Sequence, residues 1–300
     1  PGQLRIRVRA AGVNRADLLQ RQGFYPPPPG ASPLLGLECA GEVAEVATGV
    51  ADFAVGDRVM ALLAGGGYAK EVVVDAGAVM AVPESLSIEE AGALPETFLT
   101  VFLNVFQLGG LAGGGAALVH GGASGVGTAA IQMVKEADAA IVVTAGSDER
   151  CARCLELGAD RAVNYRSEDF TAAAKELTGG RGVDVVLDPV GAPYLEGNLS
   201  SLAQGGALVL IGLMGGAKGE VGLAPLLMRR LRVIGSTLRT RTAADKAAMV
   251  KAFRHRFAEP LAAGRIGPVV DRVLALEEVG EAHRAMKAGE HFGKIVLRMD

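Results

Sequence analysis

The first 83 residues alternate short apolar runs with glycine and proline, a pattern typical of short β-strands. Strands are predicted at residues 4–8, 39–46, 57–61 and 68–74. One helix is predicted at 11–22, and the proline-rich run 23–30 that follows it is predicted to be a stiff loop. Short strands at this spacing predict a small, partly open β-barrel.

From Ser87 the pattern changes to alternating strands and helices. Ser87 and Glu90 have the spacing of a capping box, and a helix is predicted from there to Gln107. Six apolar strands follow at 116–120, 140–145, 161–164, 183–188, 207–211 and 232–235. Helices are predicted between them at 125–137, 148–157, 169–178, 193–203 and 223–229. Strands joined by crossover helices predict a parallel sheet covered on both faces, which is a doubly wound α/β fold of the Rossmann type.

The end of the chain returns to strands. After a helix predicted at 243–263, strands are predicted at 268–273 and 293–297. We expect these strands to rejoin the first domain. A Rossmann domain of residues 95–265 would then be inserted in a barrel domain formed by residues 1–94 and 266–300, leaving a cleft between the two.

Composition narrows the class of protein. Half of the 300 residues are apolar, the net charge is −3 and the pI is near 5.9. No apolar run approaches the ~20 residues of a membrane span, and no signal peptide is recognisable, so a soluble, cytoplasmic chain is expected. Scattered basic residues do not predict nucleic-acid binding. The chain begins without methionine in a turn that leads directly into a strand, so we expect the natural protein to begin further upstream.

A glycine-rich turn lies between the strand at 116–120 and the helix at 125–137. It reads HGGASGVG at 120–127. Glycines in this position permit a tight turn and the close approach of a pyrophosphate, which then faces the N-terminus of the helix. Because a strand precedes the turn and a helix follows it, a dinucleotide-binding site is predicted.

The end of the next strand bears on the choice of cofactor. NAD enzymes usually place an Asp or Glu there to bind the ribose hydroxyls, whereas this strand ends in TAGS at 144–147. Arg150 lies one turn into the following helix, and Tyr165 and Arg166 follow the third strand. A hydroxyl group with nearby cations suits a 2′-phosphate, so NADPH is predicted. Asp148 and Glu149 are close enough to keep NADH open, and Arg150 could instead be a solvated first-turn residue.

Several spaced motifs resemble the medium-chain dehydrogenases/reductases over essentially the whole chain. They are NRADL at 14–18, GLE at 36–38, GDRV at 56–59, GGGYA at 65–69, SGVG at 124–127, EAHR at 281–284 and GKIV at 293–296. RQGFYPPP at 21–28 and GLMGG at 212–216 resemble the quinone oxidoreductase branch, which includes zeta-crystallin, and within it the stress-inducible NADPH:quinone oxidoreductases. This resemblance implies a GroES-like first domain, from which about two N-terminal strands are expected to be missing.

The zinc ligands of the related alcohol dehydrogenases do not occur here. Asn14 lies in the region of the first ligand, and Leu37 replaces the histidine of a Gly-His-Glu motif. Cys39 is the only cysteine of the barrel domain, whereas zinc needs three or four ligands. The four histidines, His120, His255, His283 and His291, are scattered and predicted to be structural or surface residues. Without a metal to polarise an alcohol, a quinone or enone that accepts hydride at a conjugated position is the predicted substrate.

The resemblance also implies the site residues. Tyr25, Asn14 and Thr100 would face the reacting ring, with Tyr25 as a hydroxyl donor or, alternatively, as a packing residue of the proline loop. The residues implied in cofactor binding fall into three groups: Gly122, Ser124, Gly125, Val126 and Gly127 at the pyrophosphate; Gly146, Ser147, Arg150 and Tyr165 around the 2′-phosphoadenosine; and Gly212, Leu213, Met214, Thr237 and Leu238 beside the nicotinamide.

Three alternatives to a quinone reductase remain open at this point. An NADPH-dependent enoyl-thioester reductase would share the fold and the cofactor. A non-catalytic NADPH-binding protein, with a crystallin-like or an RNA-binding role, is the other class. A homodimer joined edge to edge through the strand at 232–235 is also expected, because an unpaired apolar edge strand needs cover and the family resemblance implies a twofold partner.

Overall fold

Two β-sheets organise residues 1–299, the part of the chain that the computed structural model describes; Asp300, the last residue of the predicted segment 266–300, lies outside it. The strands among these residues are β1 (Gln3–Gly12), β2 (Glu38–Val46), β3 (Arg58–Leu62), β4 (Glu71–Asp75), β5 (Val79–Ala81), β6 (Ala116–His120), β7 (Ala140–Ala145), β8 (Arg161–Asn164), β9 (Val183–Asp188), β10 (Leu202–Leu210), β11 (Arg232–Gly235), β12 (Val270–Ala275) and β13 (Lys294–Arg298).

The α-helices range from one turn to more than five turns in length. They are α1 (Arg15–Arg21), α2 (Ile88–Ala91), α3 (Pro95–Val101), α4 (Gly125–Glu136), α5 (Asp148–Glu156), α6 (Phe170–Leu177), α7 (Leu195–Ser201), α8 (Ala224–Met228), α9 (Ala243–Ala262) and α10 (Val279–Ala288). After α3 the chain continues as a π-helical segment, Phe102–Leu108.

One compact unit comprises residues 1–99 and 238–299 and contains a seven-stranded sheet. Its strand order is β12-β13-β1-β2-β3-β5, with β4 paired to β1. β13 pairs antiparallel with β1, so the end of the chain lies beside its beginning. Every second residue of β1 from Leu4 to Ala10 is buried, because alternate side chains of a strand point to opposite faces.

The other compact unit comprises residues 100–237 and contains a six-stranded parallel sheet. Its order, β11-β10-β9-β6-β7-β8, is the doubly wound order in which the first strand of the sheet lies at the centre and the chain winds outwards on both sides. All five residues of β6 are buried, as expected for a central strand covered by helices on both faces. The predicted doubly wound parallel fold is confirmed.

Several predicted element boundaries are wrong. The helix predicted at 11–22 begins only at Arg15, because Ala11 and Gly12 complete β1 and Asn14 forms the N-terminal cap. The helix predicted from Ser87 to Gln107 is interrupted at Gly92, where α2 ends, and resumes at Pro95. The helix predicted at 193–203 ends at Ser201, since Leu202 and Ala203 already belong to β10. The strand predicted at 207–211 is also wrong at its start, because β10 begins at Leu202. The other five strands of the parallel sheet, which are set by continuous apolar runs, have the predicted boundaries.

Within residues 1–299 no helix combines the length and the apolar character needed to cross a bilayer.

Candidate functional site

A buried polar network lies where β1, β2 and β13 adjoin. The ammonium of Lys294 donates to Oε1 of Glu38 at 2.6 Å, to Oδ1 of Asn14 at 2.7 Å and to the carbonyl of Val13 at 2.9 Å. Nδ2 of Asn14 donates to the same Glu38 oxygen at 2.9 Å and, at 3.3 Å, to the carbonyl of Gly12. The amide of Asn14 therefore has protein partners on both its nitrogen and its oxygen, and its orientation is fixed.

Asp17 fixes the backbone next to this network. Its carboxylate accepts from the backbone N–H groups of Asn14 at 2.8 Å and Gly36 at 3.0 Å, and from the hydroxyl of Tyr68 at 3.0 Å. Burial raises the pKa of the Asp17 carboxyl, and these three hydrogen bonds oppose the rise. The predicted motifs NRADL and GLE thus meet through Asp17, which closes the N-terminal cap of α1 against the turn before β2.

A zinc ion does not fit this set of side chains. In the stretches where zinc-dependent relatives place their ligands, this chain offers Asn14, Glu38 and Cys39. Glu38 already accepts from Lys294, from Asn14 and, through Oε2, from the backbone N–H of Glu96 at 2.9 Å. Burial raises the pKa of the Cys39 thiol, which opposes formation of the thiolate that zinc requires. Among residues 1–299 no three or more His, Cys, Asp and Glu side chains are grouped so that they could hold a metal ion.

Tyr25 is half-buried in the proline loop beside a second group of charged side chains. The guanidinium carbon of Arg239 lies 5.3 Å from the centroid of the Tyr25 ring. Nζ of Lys246 donates to the carbonyl of Arg239 at 2.9 Å. Burial raises the pKa of the Tyr25 phenol; the charge of Glu96 adds to this rise and that of Arg239 opposes it.

Glu96, at the start of α3, has a carboxyl whose pKa is raised into the range near neutral pH. Burial raises the pKa of its carboxyl to about 8, and the neighbouring Glu38 carboxylate adds to the rise. Lys294 and Lys246 act in the opposite direction. At neutral pH the carboxyl of Glu96 is therefore mostly protonated.

In the unit of residues 100–237, the glycine-rich turn has the geometry of a phosphate-binding loop. Gly121 has a positive φ of 77°, and Ser124 caps α4 by accepting from the N–H of Gly127 at 3.0 Å. A Cβ atom at Gly127 would collide with the backbone of Gly121 and Gly122, so only glycine permits α4 to begin this close to β6. The first N–H groups of α4, including those of Gly125 and Val126, have no partner within the helix and can face an anion.

The predicted adenosine residues lie at the ends of β7 and β8. Ser147 caps α5 by accepting from the N–H of Arg150 at 3.4 Å. A Cβ atom at Gly146 would come within 2.9 Å of the Tyr165 hydroxyl, so Tyr165 lies against this glycine. These four residues are brought together. The carboxylate of Asp148, which kept NADH open, accepts from Nδ2 of Asn164 at 2.7 Å.

Sequence reasoning missed a buried network at the carboxyl ends of β6, β7 and β9. Nε2 of His120 lies 2.6 Å from Oδ1 of Asn198, and Nδ1 lies 3.1 Å from the hydroxyl of Thr144. Nδ2 of Asn198 donates to Asp188 at 2.8 Å. Burial lowers the pKa of His120 to about 4, so the ring is neutral at physiological pH. The network joins three strand ends and reaches the glycine-rich turn, because the N–H of Gly121 donates to the hydroxyl of Thr144 at 3.3 Å.

The remaining predicted site residues are more scattered. Gly212, Leu213 and Met214 follow β10 in a loop, where the side chains of Leu213 and Met214 are 54% and 60% exposed. Thr237 follows β11 at the end of the same unit, and Leu238 begins the last segment of the other unit, where it is buried. Thr100 is buried within the helical segment, and its carbonyl accepts from Nδ2 of Asn104 at 2.7 Å.

Sequence reasoning also gave no role to Lys294, Glu96, Arg239 or Lys246. Lys294, Glu96 and Lys246 are charged residues in or beside apolar runs, where burial is expected, whereas Arg239 lies among threonines and gives no such signal. A buried charge requires partners, so such a residue in an apolar run is itself a signal, although its partner cannot be read from a single sequence.

Comparison with known proteins gives two matching family models. One, described as an alcohol dehydrogenase GroES-like domain, matches residues 1–84, and one described as a zinc-binding dehydrogenase matches residues 125–254. The human synaptic vesicle membrane protein VAT-1 homolog is 31% identical over 311 residues, a match that covers 99% of this chain and 79% of that protein.

Several solved structures are similar to this chain over nearly its whole length. An NAD-dependent alcohol dehydrogenase has a TM-score of 0.86 at 34% identity, covering 100% of this chain and 92% of that one. Escherichia coli quinone oxidoreductase, solved in complex with NADPH, has a TM-score of 0.86 at 29% identity, covering 99% of this chain and 92% of that one. The CurK enoyl reductase has a TM-score of 0.86 at 28% identity, covering 100% and 91%.

These matches extend over both units, and the glycine-rich turn at the end of β6 is where this fold binds the pyrophosphate of a nicotinamide dinucleotide. The chain belongs to the medium-chain dehydrogenase/reductase superfamily of oxidoreductases, as its motifs predicted.

Proposed function

We propose that this protein is an NADPH-dependent, zinc-independent reductase of quinones or related conjugated electrophiles. The observation that carries the proposal is the 2.6 Å contact between Lys294 and Glu38. In this contact Glu38, the carboxylate next to the Leu37 position of the zinc-ligand motif, is paired with an ammonium group. A reaction that does not need a Lewis acid suits such a site better than alcohol oxidation does, because a conjugated acceptor is already electrophilic.

The choice of NADPH rests on the end of β7. Asp148 is hydrogen-bonded to Asn164, and none of Gly146, Ser147, Arg150 and Tyr165, which lie together there, carries a carboxylate. A 2′-phosphate would be repelled by such a carboxylate, and Arg150 would attract it. Glu149, exposed in the first turn of α5, is the acidic residue that still favours NADH. The NADPH complex of the similar Escherichia coli quinone oxidoreductase supports this choice, whereas the similar alcohol dehydrogenase is described as NAD-dependent.

Bound NADPH would supply a hydride from carbon 4 of its nicotinamide to the acceptor. Backbone N–H groups of Gly125 and Val126 would bind the pyrophosphate. Gly122, Ser124 and Gly127 would shape the turn around it, because their own N–H groups donate to Thr144, Gly121 and Ser124. Gly212, Leu213, Met214, Thr237 and Leu238 would border the nicotinamide half. The main contribution of the protein would be to hold the two reacting carbons in contact.

Tyr25, Asn14 and Thr100 would face the acceptor in different roles. The phenol of Tyr25 would donate to the acceptor oxygen, which becomes negative as hydride arrives. The amide nitrogen of Asn14 already donates to Glu38 and to the carbonyl of Gly12. Asn14 would therefore line the site as an immobile side chain and would not donate to the acceptor. Thr100 would line the same ring.

An enoyl-thioester reductase is the second candidate, supported by the likeness to the CurK enoyl reductase. Its acceptor is also conjugated and needs no metal. The two candidates differ in the group beside the double bond, which is a ring carbonyl in one and a thioester in the other.

A panel of acceptors tests the proposal. Oxidation of NADPH is followed spectroscopically with benzoquinone, phenanthrenequinone, an α,β-unsaturated ketone and crotonyl thioester, each with and without a strong chelator. We expect turnover with quinones that is unchanged by chelation, and no stoichiometric zinc by elemental analysis. Turnover with crotonyl thioester alone would establish the second candidate. One zinc per chain, or reduction of NADP+ by alcohols with no oxidation of NADPH by any of these acceptors, would overturn both.

A further inference from the structure

Arg239 lies in the segment between β11 and α9 and is 3% exposed. Three of its side-chain nitrogens donate to oxygens of three separate segments. Nε donates to the carbonyl of Ala64 at 2.7 Å, Nη1 to the carbonyl of Tyr25 at 3.1 Å, and Nη2 to Oε1 of Gln20 at 2.7 Å. The guanidinium therefore joins the end of α1, the proline loop and the turn after β3.

The partners of Arg239 are all neutral. None of the described carboxylates lies within ion-pair distance of its guanidinium, and burial lowers its pKa. A buried cation that lacks a paired anion is expensive, and a well-packed apolar side chain is often at least as stabilising at such a position. The stability of the fold therefore does not explain why an arginine occupies position 239. Its three directional hydrogen bonds point to a role other than stability.

Those contacts constrain Tyr25 in two ways at once. Nη1 holds the backbone carbonyl of Tyr25, and the guanidinium also lies over the face of the Tyr25 ring, with Cζ at 5.3 Å from the centroid. The backbone and the ring plane of one residue are thus held by one rigid, planar group. Arg239 is held in turn, because its own carbonyl accepts from Lys246.

We propose that Arg239 is a positioning residue that aims the phenol of Tyr25 at the acceptor. This inference rests on the proposed function, in which Tyr25 donates a hydrogen bond to the oxygen of a quinone or enone. Arg239 acts through Tyr25 and not on the cofactor. Lysine would not replace it, because a compact ammonium lacks the planar group that spans acceptors on three separate segments while covering an aromatic face.

A double-mutant cycle tests the mechanism. We expect Arg239→Gln to lower quinone turnover by about tenfold, with the KM for NADPH unchanged, because the loss is confined to orientation of one donor. Arg239→Lys should lose nearly as much. In a Tyr25→Phe background, which has no phenol to aim, the further loss from Arg239→Gln should be less than about twofold. An equal loss in both backgrounds, or a raised KM for NADPH, would overturn the proposal.

Arg241→Gln is the matched control, since it makes the same substitution two residues further along the segment. We expect it to leave turnover unchanged. Gln20→Met provides a milder disturbance if Arg239→Gln folds poorly, because it leaves the guanidinium in place and removes the acceptor of Nη2, together with the hydrogen bond from Gln20 to the carbonyl of Pro33. It should lower turnover in the parent and not in the Tyr25→Phe background.

A second measurement does not depend on activity. The chain contains no tryptophan, so Tyr25→Trp introduces a single fluorescent reporter at the position in question. Quenching of this tryptophan by acrylamide should rise about twofold or more when Arg239→Gln is added, because the ring loses the guanidinium that covers it. No rise would overturn the anchoring. Full turnover in Tyr25→Phe would show that the Tyr25 phenol is not a donor to the acceptor, and the catalytic part of this inference would fall with that role. The quenching result would still decide whether Arg239 holds residue 25 in place.

Discussion

The ammonium of Lys294 lies 2.6 Å from Oε1 of Glu38, and the two side chains are 3% and 0% exposed. β13 carries the lysine and β2 the glutamate, on either side of β1. A Cβ atom at Gly12 of β1 would come within 2.7 Å of the Glu38 carboxyl carbon, so glycine is needed for the pair to fit. Buried ion pairs of this kind are weakly stabilising as a whole, but the loss of one partner is severe.

Replacing Lys294 alone should therefore strongly destabilise the protein. We expect Lys294→Met to lower the free energy of unfolding by about 3–5 kcal/mol, because Glu38 is left as an uncompensated buried charge. Adding Glu38→Gln should restore most of this loss, since the amide oxygen can still accept from the N–H of Glu96. Urea denaturation measures both effects.

The surface ion pairs of Arg5 with Glu45 and Glu71 provide the control. The Arg5 side chain is 40% exposed, and Arg5→Met should change the free energy of unfolding by less than about 1 kcal/mol. A loss for Lys294→Met no larger than that for Arg5→Met would show that the buried pair has no special role in stability.

The Lys294–Glu38 pair also shows what a single sequence can predict. The strands of the parallel sheet were predicted because a continuous apolar run is a local pattern. Lys294 and Glu38 are 256 residues apart, and Arg239 and Gln20 are 219 apart. Lys294 and Glu38 lie in recognisable motifs, but no local sequence pattern predicts which distant side chain each of these charged residues will contact. The phosphate turn is predictable because all of its parts, strand, glycines and helix, are adjacent in the chain.

The cofactor preference has a direct test at Arg150. We expect NADPH to bind at least about tenfold more tightly than NADH, and Arg150→Asp to remove most of that difference, since a charge-assisted contact to phosphate contributes roughly 1–3 kcal/mol. Dissociation constants for both cofactors measure this. Arg153→Asp, at an exposed position one turn further along α5, should affect neither. Equal weakening of both cofactors by Arg150→Asp would mean that Arg150 supports the fold of this region instead.

Glu96 should make stability depend on pH in an unusual direction. Its pKa is about 8 in the folded chain against 4.5 for the ordinary carboxyl, so the folded state retains a proton that the unfolded state releases. The stabilisation is fully present below about pH 4.5 and is lost as the pH rises towards 8. For a half-buried group we expect a loss of roughly 1–2 kcal/mol over this range.

Glu96→Gln should remove that loss, because the amide stays neutral at every pH. The free energy of unfolding, measured by urea denaturation at a series of pH values, should fall less steeply for this variant than for the parent. Glu84→Gln, at an exposed position, should follow the parent curve. Parallel curves for the parent and Glu96→Gln would show that Glu96 is ionised in the folded protein at neutral pH.

The edge strand β11 predicts a homodimer. It is the outermost strand of the parallel sheet and pairs only with β10 among the described strands, and the side chain of Val233 on it is 44% exposed. An unprotected apolar edge invites pairing with another strand, and a second copy of β11 related by a twofold axis would cover both edges at once. Light scattering at micromolar concentration should therefore give twice the mass of one chain. Val233→Lys should shift the mass towards one chain, because a charged lysine on an edge strand discourages pairing.

Val73→Lys is the matched control: Val73 is 59% exposed on β4 in the other unit, and the substitution there should leave the dimer intact. A parent mass equal to one chain would refute the dimer, and an equal effect of the two lysines would place the contact elsewhere than β11.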